Sequence, residues 1–214
     1  MKSIFGATLL AAATLTLTPV LAQASAYQSA TFVDEATAGG DYFLDNTRYL
    51  GAVFSVTANE SLTSIGGNFT VNGDGNAIFG AVVRLTSADT LPAISDLAAS
   101  TVSEALFTPT GGDQSVALTG TLTAGKYAVL FGSGLFGATG ASGLVASQNP
   151  VGTPTFVQYA DNGSGVLAAD TFNFDTLRVT MNTVAAPVPE PESFALAAVS
   201  LLLLVGQSLR TRRQ

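Results

Sequence analysis

The sequence contains no cysteine, no histidine and no tryptophan. The lack of cysteine excludes disulfide bonds, thiolate chemistry and metal sites built on cysteine. The lack of histidine removes the usual general base and the Ser-His-Asp triad. These absences argue against catalysis, and we predict that the chain is not an enzyme.

Basic residues are also scarce. Between residues 25 and 186, four basic residues stand against thirteen acidic ones, which gives a net charge of −9. An acidic surface repels phosphate backbones, so we predict no nucleic-acid partner. The same negative charge favours solubility outside the cell and is compatible with binding of a divalent cation.

The first 24 residues have the pattern of a secretory signal peptide. Lys2 is the short positive region, residues 4–17 form the apolar core, and Ala22-Gln23-Ala24 is a small-x-small cleavage motif. Ala24-Ser25-Ala26 offers a second cleavage site. The pattern predicts export and removal of this segment.

Residues 187–214 form a second segment with its own pattern. Pro187, Pro189 and Pro191 fix φ at every second residue, so the start of this segment is predicted to be extended. Phe194 to Leu209 carries no charge, and as a helix it would span about 24 Å at about 1.5 Å per residue. We predict a single transmembrane helix there, with flanking side chains or bilayer thinning covering the rest of the hydrocarbon core.

Three arginines follow the apolar run, at Arg210, Arg212 and Arg213. Because basic residues flank only this side of the run, we predict a cytoplasmic tail and an external ectodomain.

The order of these features resembles the PEP-CTERM sorting domain of bacterial surface proteins. The resemblance covers Pro187–Gln214, and its motif is Val188, Pro189, Glu190 and Pro191. It implies recognition by an exosortase, a membrane protease-transpeptidase that cuts near the motif and removes the helix, often in bacteria that make exopolysaccharide.

The ectodomain, residues 25–186, is predicted to be one all-β domain, a single antiparallel, jelly-roll-like β-sandwich. Short runs with period-two alternation are separated by turn residues. The predicted strands are Gln28–Val33, Leu50–Thr57, Leu62–Val71, Ala77–Thr86, Thr101–Phe107, Ser115–Leu122, Lys126–Gly132, Thr155–Tyr159 and Phe172–Met181. The almost wholly apolar Leu50–Val56 indicates a central strand covered on both faces, Pro92–Ser100 a short helical piece, and Ala138–Pro154 a long loop.

One short stretch supports this fold by resemblance. Leu122-Thr123-Ala124-Gly125-Lys126-Tyr127 is similar to the corner between two strands in secreted jelly-roll and prepeptidase-type sandwiches. The likeness implies a fold and transfers no functional site.

Asn72, Asp74 and Asn76 place three oxygen-bearing side chains at alternate positions of a Gly-rich loop, which is compatible with a calcium site. Asn-Gly and Asp-Gly are also hairpin signals, so a plain β-hairpin is the other interpretation. Asp161–Gly165 has the same two interpretations.

Three further groups of residues are candidates for binding or chemistry. Asp34, Glu35, Asp41 and Asp45 form an acidic cluster that is either a calcium site or a solvated loop. Tyr42 and Tyr49 are candidate sugar platforms. Glu60 and Glu104 are the ectodomain's only glutamates, and a glycosidase would need two facing carboxylates.

From the sequence we predict an exported protein that passes through the inner membrane to the cell surface or extracellular matrix. Its predicted role is structural or adhesive, in the envelope or exopolysaccharide. Exosortase is the predicted partner, exopolysaccharide a candidate partner, and no cofactor is expected unless calcium binds. A calcium-dependent glycan-binding module is the alternative function, and a hydrolase is the third.

Overall fold

The computed structural model describes residues 24–71, 75–86, 89–161, 163–173 and 175–186. Residues 1–23 of the predicted signal peptide, the sorting motif, the predicted transmembrane helix and the three terminal arginines lie outside these residues, while Ala24, the last residue of the predicted signal peptide, opens strand β1. No helix within the described ranges is long and apolar enough to cross a membrane.

The described residues form fourteen β-strands and one short helical piece. The strands are β1 Ala24–Gln28, β2 Ala30–Thr31, β3 Asp41–Leu44, β4 Arg48–Val56, β5 Glu60–Val71, β6 Ile78–Arg84, β7 Thr101–Phe107, β8 Gly112–Leu122, β9 Gly125–Gly132, β10 Ser142–Val145, β11 Asn149–Pro150, β12 Thr155–Asp161, β13 Leu167–Thr171 and β14 Val179–Ala185. A 3-10 turn, Ile94–Asp96, leads into helix α1, Leu97–Ser100.

The strands build two six-stranded sheets and a two-stranded ribbon. Sheet I has the order β1-β14-β5-β10-β3, with β8 also paired to β5. Sheet II has the order β13-β12-β4-β9-β6-β7, and the ribbon pairs β2 with β11. Every pairing among these strands is antiparallel, which confirms the predicted all-β class.

Strand β5 is the centre of sheet I. Gly67 pairs with Val179 of β14 and with Gln114 of β8. Phe69 pairs with both β10 and β8. Because a strand has two edges, β14 and β10 follow one another along one edge of β5, and β8 occupies the other.

A shared apolar cluster joins the two sheets. Alternate residues of a strand point to the same face, so period-two apolar runs give each sheet one buried face. Tyr127, Val129 and Phe131 of β9 belong to this cluster, and so do Leu177, Val179 and Met181. Phe69 of sheet I makes edge-to-face ring contacts with Phe107 and Phe131 of sheet II, at centroid distances of 5.3 and 5.0 Å.

Sheet II is covered on its outer face as well. A second cluster contains the alternating residues Phe79, Ala81, Val83 and Leu85, together with Leu91 and Leu97 from the segment before β7. In β4, Leu50 joins the inner cluster while Tyr49 joins the outer one. This confirms that the Leu50–Val56 region is a central strand covered on both faces.

The outer face of sheet I is crossed by an ion pair. Arg178 and Asp113 lie on opposite sides of β5, and the guanidinium meets the carboxylate with Nε–Oδ1 at 2.7 Å and Nη2–Oδ2 at 2.8 Å. Nη1 also donates to the Ala30 carbonyl at 2.6 Å. The same arginine therefore holds the β2–β11 ribbon against sheet I.

The predicted corner turn joins the two sheets. Strand β8 belongs to sheet I and β9 to sheet II, so the chain changes sheet between Leu122 and Gly125. The buried Tyr127 hydroxyl donates to the Thr123 carbonyl at 2.9 Å and accepts from the Thr123 N–H at 3.0 Å. Such a tyrosine corner fixes the direction in which a strand leaves one sheet for the other.

Three predicted elements were wrong. Gln28–Val33 is not one strand, because β1 ends at Gln28 and β2, Ala30–Thr31, pairs with β11 in the separate ribbon. Ala138–Pro154 is not one long loop, because it contains β10, whose four residues are all buried, and β11. Phe172–Met181 is not one strand, since the ordered strand there is β14 and the preceding residues connect β13 to it. The short helical piece in Pro92–Ser100 is confirmed.

Candidate functional site

An open groove of about 380 Å³ lies beside the start of β12 and the end of β13. It is lined by Pro154, Thr155, Phe156, Thr171, Phe172, Asn173, Asp175 and Thr176. The volume falls within the roughly 300–1,000 Å³ typical of small-ligand sites. Most of the lining groups are hydroxyls, an amide and a carboxylate, so the groove suits a polar, uncharged ligand better than an apolar one.

Asp175 is held in place by the backbone of two segments. Its Oδ1 accepts from the Ser147 N–H at 3.1 Å and from the Thr176 N–H at 2.6 Å. Its Oδ2 accepts from the Ser147 hydroxyl at 3.2 Å. These bonds attach the groove to the chain that follows β10, and they occupy acceptor positions that a ligand would otherwise use.

The aromatic rings at the groove are packed into the protein. Phe156 and Phe172 are 8% and 2% exposed, and Tyr42 of β3 meets Phe172 edge-on at a centroid distance of 4.8 Å. A sugar ring stacks on an open aromatic face, so hydrogen bonds rather than stacking would hold a ligand here.

The two predicted sugar platforms differ in how deeply they are buried. Tyr49 is 2% exposed and packs edge-to-face against Phe79 and Tyr159 in the outer cluster of sheet II, so it cannot be a platform. Tyr42 is half-buried beside the groove. Burial raises the pKa of Tyr42, the Asp175 charge raises it further, and Arg48 opposes them.

The predicted acidic cluster is spread over local turns and a strand edge. Asp34 accepts from the Ala36 N–H at 2.9 Å, and Asp45 caps the Thr47 and Arg48 amides at 2.6 and 3.0 Å. Asp41 accepts from the Thr70 hydroxyl at 2.7 Å. Among the residues that the structure describes, no three histidine, cysteine, aspartate or glutamate side chains are grouped so that they could hold a metal ion.

Of the candidate calcium ligands, Asn72 and Asp74 lie outside the described residues, while Asn76 lies just before β6. The hairpin interpretation of this loop was wrong. Strand β5 belongs to sheet I and β6 to sheet II, and the two do not pair. Asn-Gly and Asp-Gly mark a chain reversal, but they do not determine that the flanking strands bond to each other.

The hairpin interpretation of Asp161–Gly165 is confirmed. Strands β12 and β13 pair from Val157 to Asp161, and this loop connects them. The Asp161 Oδ1 accepts from the Gly163 and Gly165 amides, each at 2.9 Å. The carboxylate therefore stabilises its own turn.

Glu60 and Glu104 have unlike surroundings. Glu60 is 6% exposed, accepts from the Tyr27 hydroxyl at 2.8 Å and also from the Thr183 hydroxyl. It therefore ties β1 and β14 to the start of β5, while Glu104 is an exposed residue on the edge strand β7. With Glu60 enclosed in this way, the pair does not form two carboxylates open to a substrate.

Comparison with known proteins gives no family assignment. The chain matches no protein-family model, and it matches no curated protein.

Sequence reasoning missed the groove. Its residues come from two stretches about 15 positions apart, and part of the second stretch, after Thr171, was predicted as strand. The signal that was present is the pair Asn173 and Asp175, two short polar side chains that favour turns.

Tyrosines with raised pKa values make the stability of the fold fall at alkaline pH. Burial, then Asp45, raises the pKa of Tyr49 to about 12. Burial, then a hydrogen bond and charge from Glu60, raises the pKa of Tyr27 to about 12. Between the ordinary value of 10.0 and about 12, the unfolded chain has lost protons that the folded chain keeps. Unfolding is therefore favoured as pH rises through this window, and the stabilisation is fully present below it.

We expect the free energy of unfolding to fall by about 1 kcal/mol by about pH 11 for the buried Tyr49, and by less for the partly exposed Tyr27. Urea titrations at increasing pH, followed alongside phenolate absorbance, measure this. Tyr49→Phe should reduce the slope relative to the native chain. A native chain whose stability is constant up to pH 11 would contradict the prediction.

Proposed function

We propose that this protein is exported, sorted by an exosortase, and given a structural or adhesive role at the cell surface or in the exopolysaccharide matrix. The observation that carries the proposal is the sequence of residues 187–214, in which the Pro-Glu-Pro motif, the uncharged run and the three arginines occur in the order of a PEP-CTERM segment.

The position at which strand β14 ends supports this proposal. Strand β14 ends at Ala185, and the Ala186 N–H still donates to the Asn59 carbonyl at 3.1 Å. The sorting segment thus begins directly after the last paired strand. Cutting near Glu190 would leave all of the described strands in place, so a protease could release the ectodomain without disturbing its core.

The folded part suits a passive extracellular role. We propose that its two sheets form a jelly-roll-like sandwich, which is consistent with their shared apolar cluster and with the strand crossovers at β5–β6 and β8–β9. The fold needs no disulfide, because apolar burial between the sheets supplies the stabilisation. A net charge of −9 on the ectodomain keeps such a protein soluble in a hydrated matrix.

The test replaces Pro189-Glu190-Pro191 with three alanines in the native host. This change removes the extended, proline-restricted backbone of the motif together with the Glu190 carboxylate, and it leaves the apolar run intact. The variant is expected to be exported and to stay uncleaved in the membrane, as seen by mass and by fractionation. Replacing Ser193, outside the motif, with alanine is the matched control and should be processed normally.

A second variant separates sorting from anchoring. A chain without residues 194–214 lacks the predicted helix and should appear in the medium without processing. If the triple-alanine variant were cleaved and delivered like the native chain, the sorting proposal would be wrong, and residues 187–214 would be an anchor only.

Glycan binding is the second candidate function, and the groove at Thr155, Thr171, Asn173 and Asp175 is the observation that favours it. Its polar lining and volume fit a single sugar unit held by hydrogen bonds. A glycan array probed with and without calcium tests this, with Asn173→Ala as the variant that should lose binding. Unchanged binding by that variant would place any glycan site elsewhere.

A further inference from the structure

The first and last strands of the described chain, β1 and β14, have their outer ends side by side. Ala24 pairs with Val184 in adjacent antiparallel strands, and Ala185 pairs with Glu60 at the start of β5. Val56 pairs with Gly125, which puts the turns 57–59 and 123–125 beside them. We call these two turns, with the ends of β1 and β14, the terminal end.

The terminal end differs in charge from the rest of the described chain. Lys126 lies here with its ammonium 2.7 Å from Asp89, and Arg84 lies beside Gly125. With the buried Glu60 counted, this end holds two basic and two acidic residues, so its net charge is zero. Elsewhere among the described residues, Arg48 and Arg178 stand against ten acidic residues, so the remainder carries a charge of −8.

The length of the connecting segment limits where this end can be. Eight residues separate Ala185 from Phe194, the start of the predicted transmembrane run. Fully extended, that segment reaches at most about 30 Å. Strand β5, with 12 residues, is about 40 Å long at about 3.3 Å per residue. The connecting segment therefore keeps the terminal end at a distance from the bilayer that is shorter than the length of the ectodomain.

We propose that the terminal end is the surface that lies against the anionic phospholipid headgroups before the tail is removed. This inference rests on the proposed membrane-spanning tail. Bacterial anionic lipids repel the acidic remainder of the ectodomain, whereas the neutral terminal end approaches them without that penalty and presents Arg84 and Lys126 to the headgroups. The opposite end, with Asp45 and Asp161, then faces away from the membrane.

The absence of cysteine makes this orientation measurable. A single cysteine replacing Ala124 marks the terminal end, and one replacing Ser164 marks the opposite end, and both positions are exposed. Each full chain is labelled with a fluorophore and reconstituted into phosphatidylglycerol–phosphatidylcholine vesicles that contain a headgroup-linked quencher. We expect the label at position 124 to be quenched at least about threefold more than the label at 164.

Two comparisons isolate the charge effect. Vesicles of phosphatidylcholine alone, and the double variant Arg84→Glu with Lys126→Glu, should each reduce the quenching contrast. A contrast that persists unchanged in both would overturn the contact with anionic lipid.

The outcomes separate this inference from the proposed function. If the full chain fails to float with vesicles, the membrane-spanning tail is wrong, and the orientation is overturned with it. If the chain floats and both labels are quenched equally, the tail stands and the proposed orientation alone is overturned.

Discussion

Replacing Gly51 with alanine is expected to destabilise the protein by about 3 kcal/mol or more. Gly51 lies in the middle of β4, between Leu130 of β9 and Val157 of β12. A Cβ at this position would lie 1.9 Å from the Val129 carbonyl oxygen and 2.8 Å from its carbon. These are backbone atoms of a central strand, so no side-chain rotation relieves the collision, and two strands of sheet II would have to separate.

Urea unfolding followed by circular dichroism measures this loss, and Gly120→Ala is the matched control. Gly120 is also a strand glycine, in β8, but a Cβ there would come no closer than 3.4 Å to Val102. Alanine has fewer accessible backbone conformations than glycine, which lowers the conformational entropy of the unfolded chain. The control should therefore be neutral or more stable by up to about 1 kcal/mol. Equal effects at the two positions would show that the close approach at Gly51 is not what constrains the residue.

Four neighbouring strands of sheet II were predictable from their side-chain pattern. Strand β7 has the predicted bounds, Thr101–Phe107, and β4, β6 and β9 lie within two residues of theirs. Strands β4, β6 and β9 are almost wholly apolar because both faces of sheet II are covered, and branched or aromatic residues are frequent in them. Pattern and packing agree there, so local sequence was enough to locate the strands.

Strand β10 could not be predicted in the same way. Its residues, Ser142–Val145, include glycine and serine, which sequence patterns associate with loops. Its burial depends on distant partners, since a Cβ on Gly143 would lie 2.0 Å from Asp41 Oδ2 and 2.7 Å from Thr70 Oγ1. Glycine is required because β3 and β5 approach closely on either side, and only the tertiary structure shows that.

The candidate groove was beyond sequence reasoning for a related reason. The β12–β13 hairpin brings residues near Phe156 and Phe172 together, and the Phe172 N–H donates to the Phe156 carbonyl at 3.0 Å. A hairpin at Asp161–Gly165 was one of the two interpretations, but strand β13 itself was not predicted, because it is mostly exposed and carries little apolar signal. Without β13, nothing in the sequence places Asn173 beside Thr155.

The core prediction with the largest expected effect is Phe69→Ala. Phe69 is fully buried in the middle of the inter-sheet cluster, where its ring touches Phe107 and Phe131 of the opposite sheet. Truncation to alanine removes the apolar area and leaves a cavity that the surrounding strands cannot close, because β5 is paired along both edges. The free energy of unfolding should fall by about 3–5 kcal/mol.

Chemical denaturation measures this loss, and Phe43→Ala provides the control for the same change of side chain. Phe43 is 47% exposed on β3, so its truncation should change stability by no more than about 0.5 kcal/mol. The difference between the two variants reports the packing of the two sheets against each other, because Phe69 makes ring contacts with the opposite sheet whereas Phe43 is largely exposed. A Phe69→Ala protein as stable as the Phe43→Ala protein would mean that the two sheets do not enclose a common core.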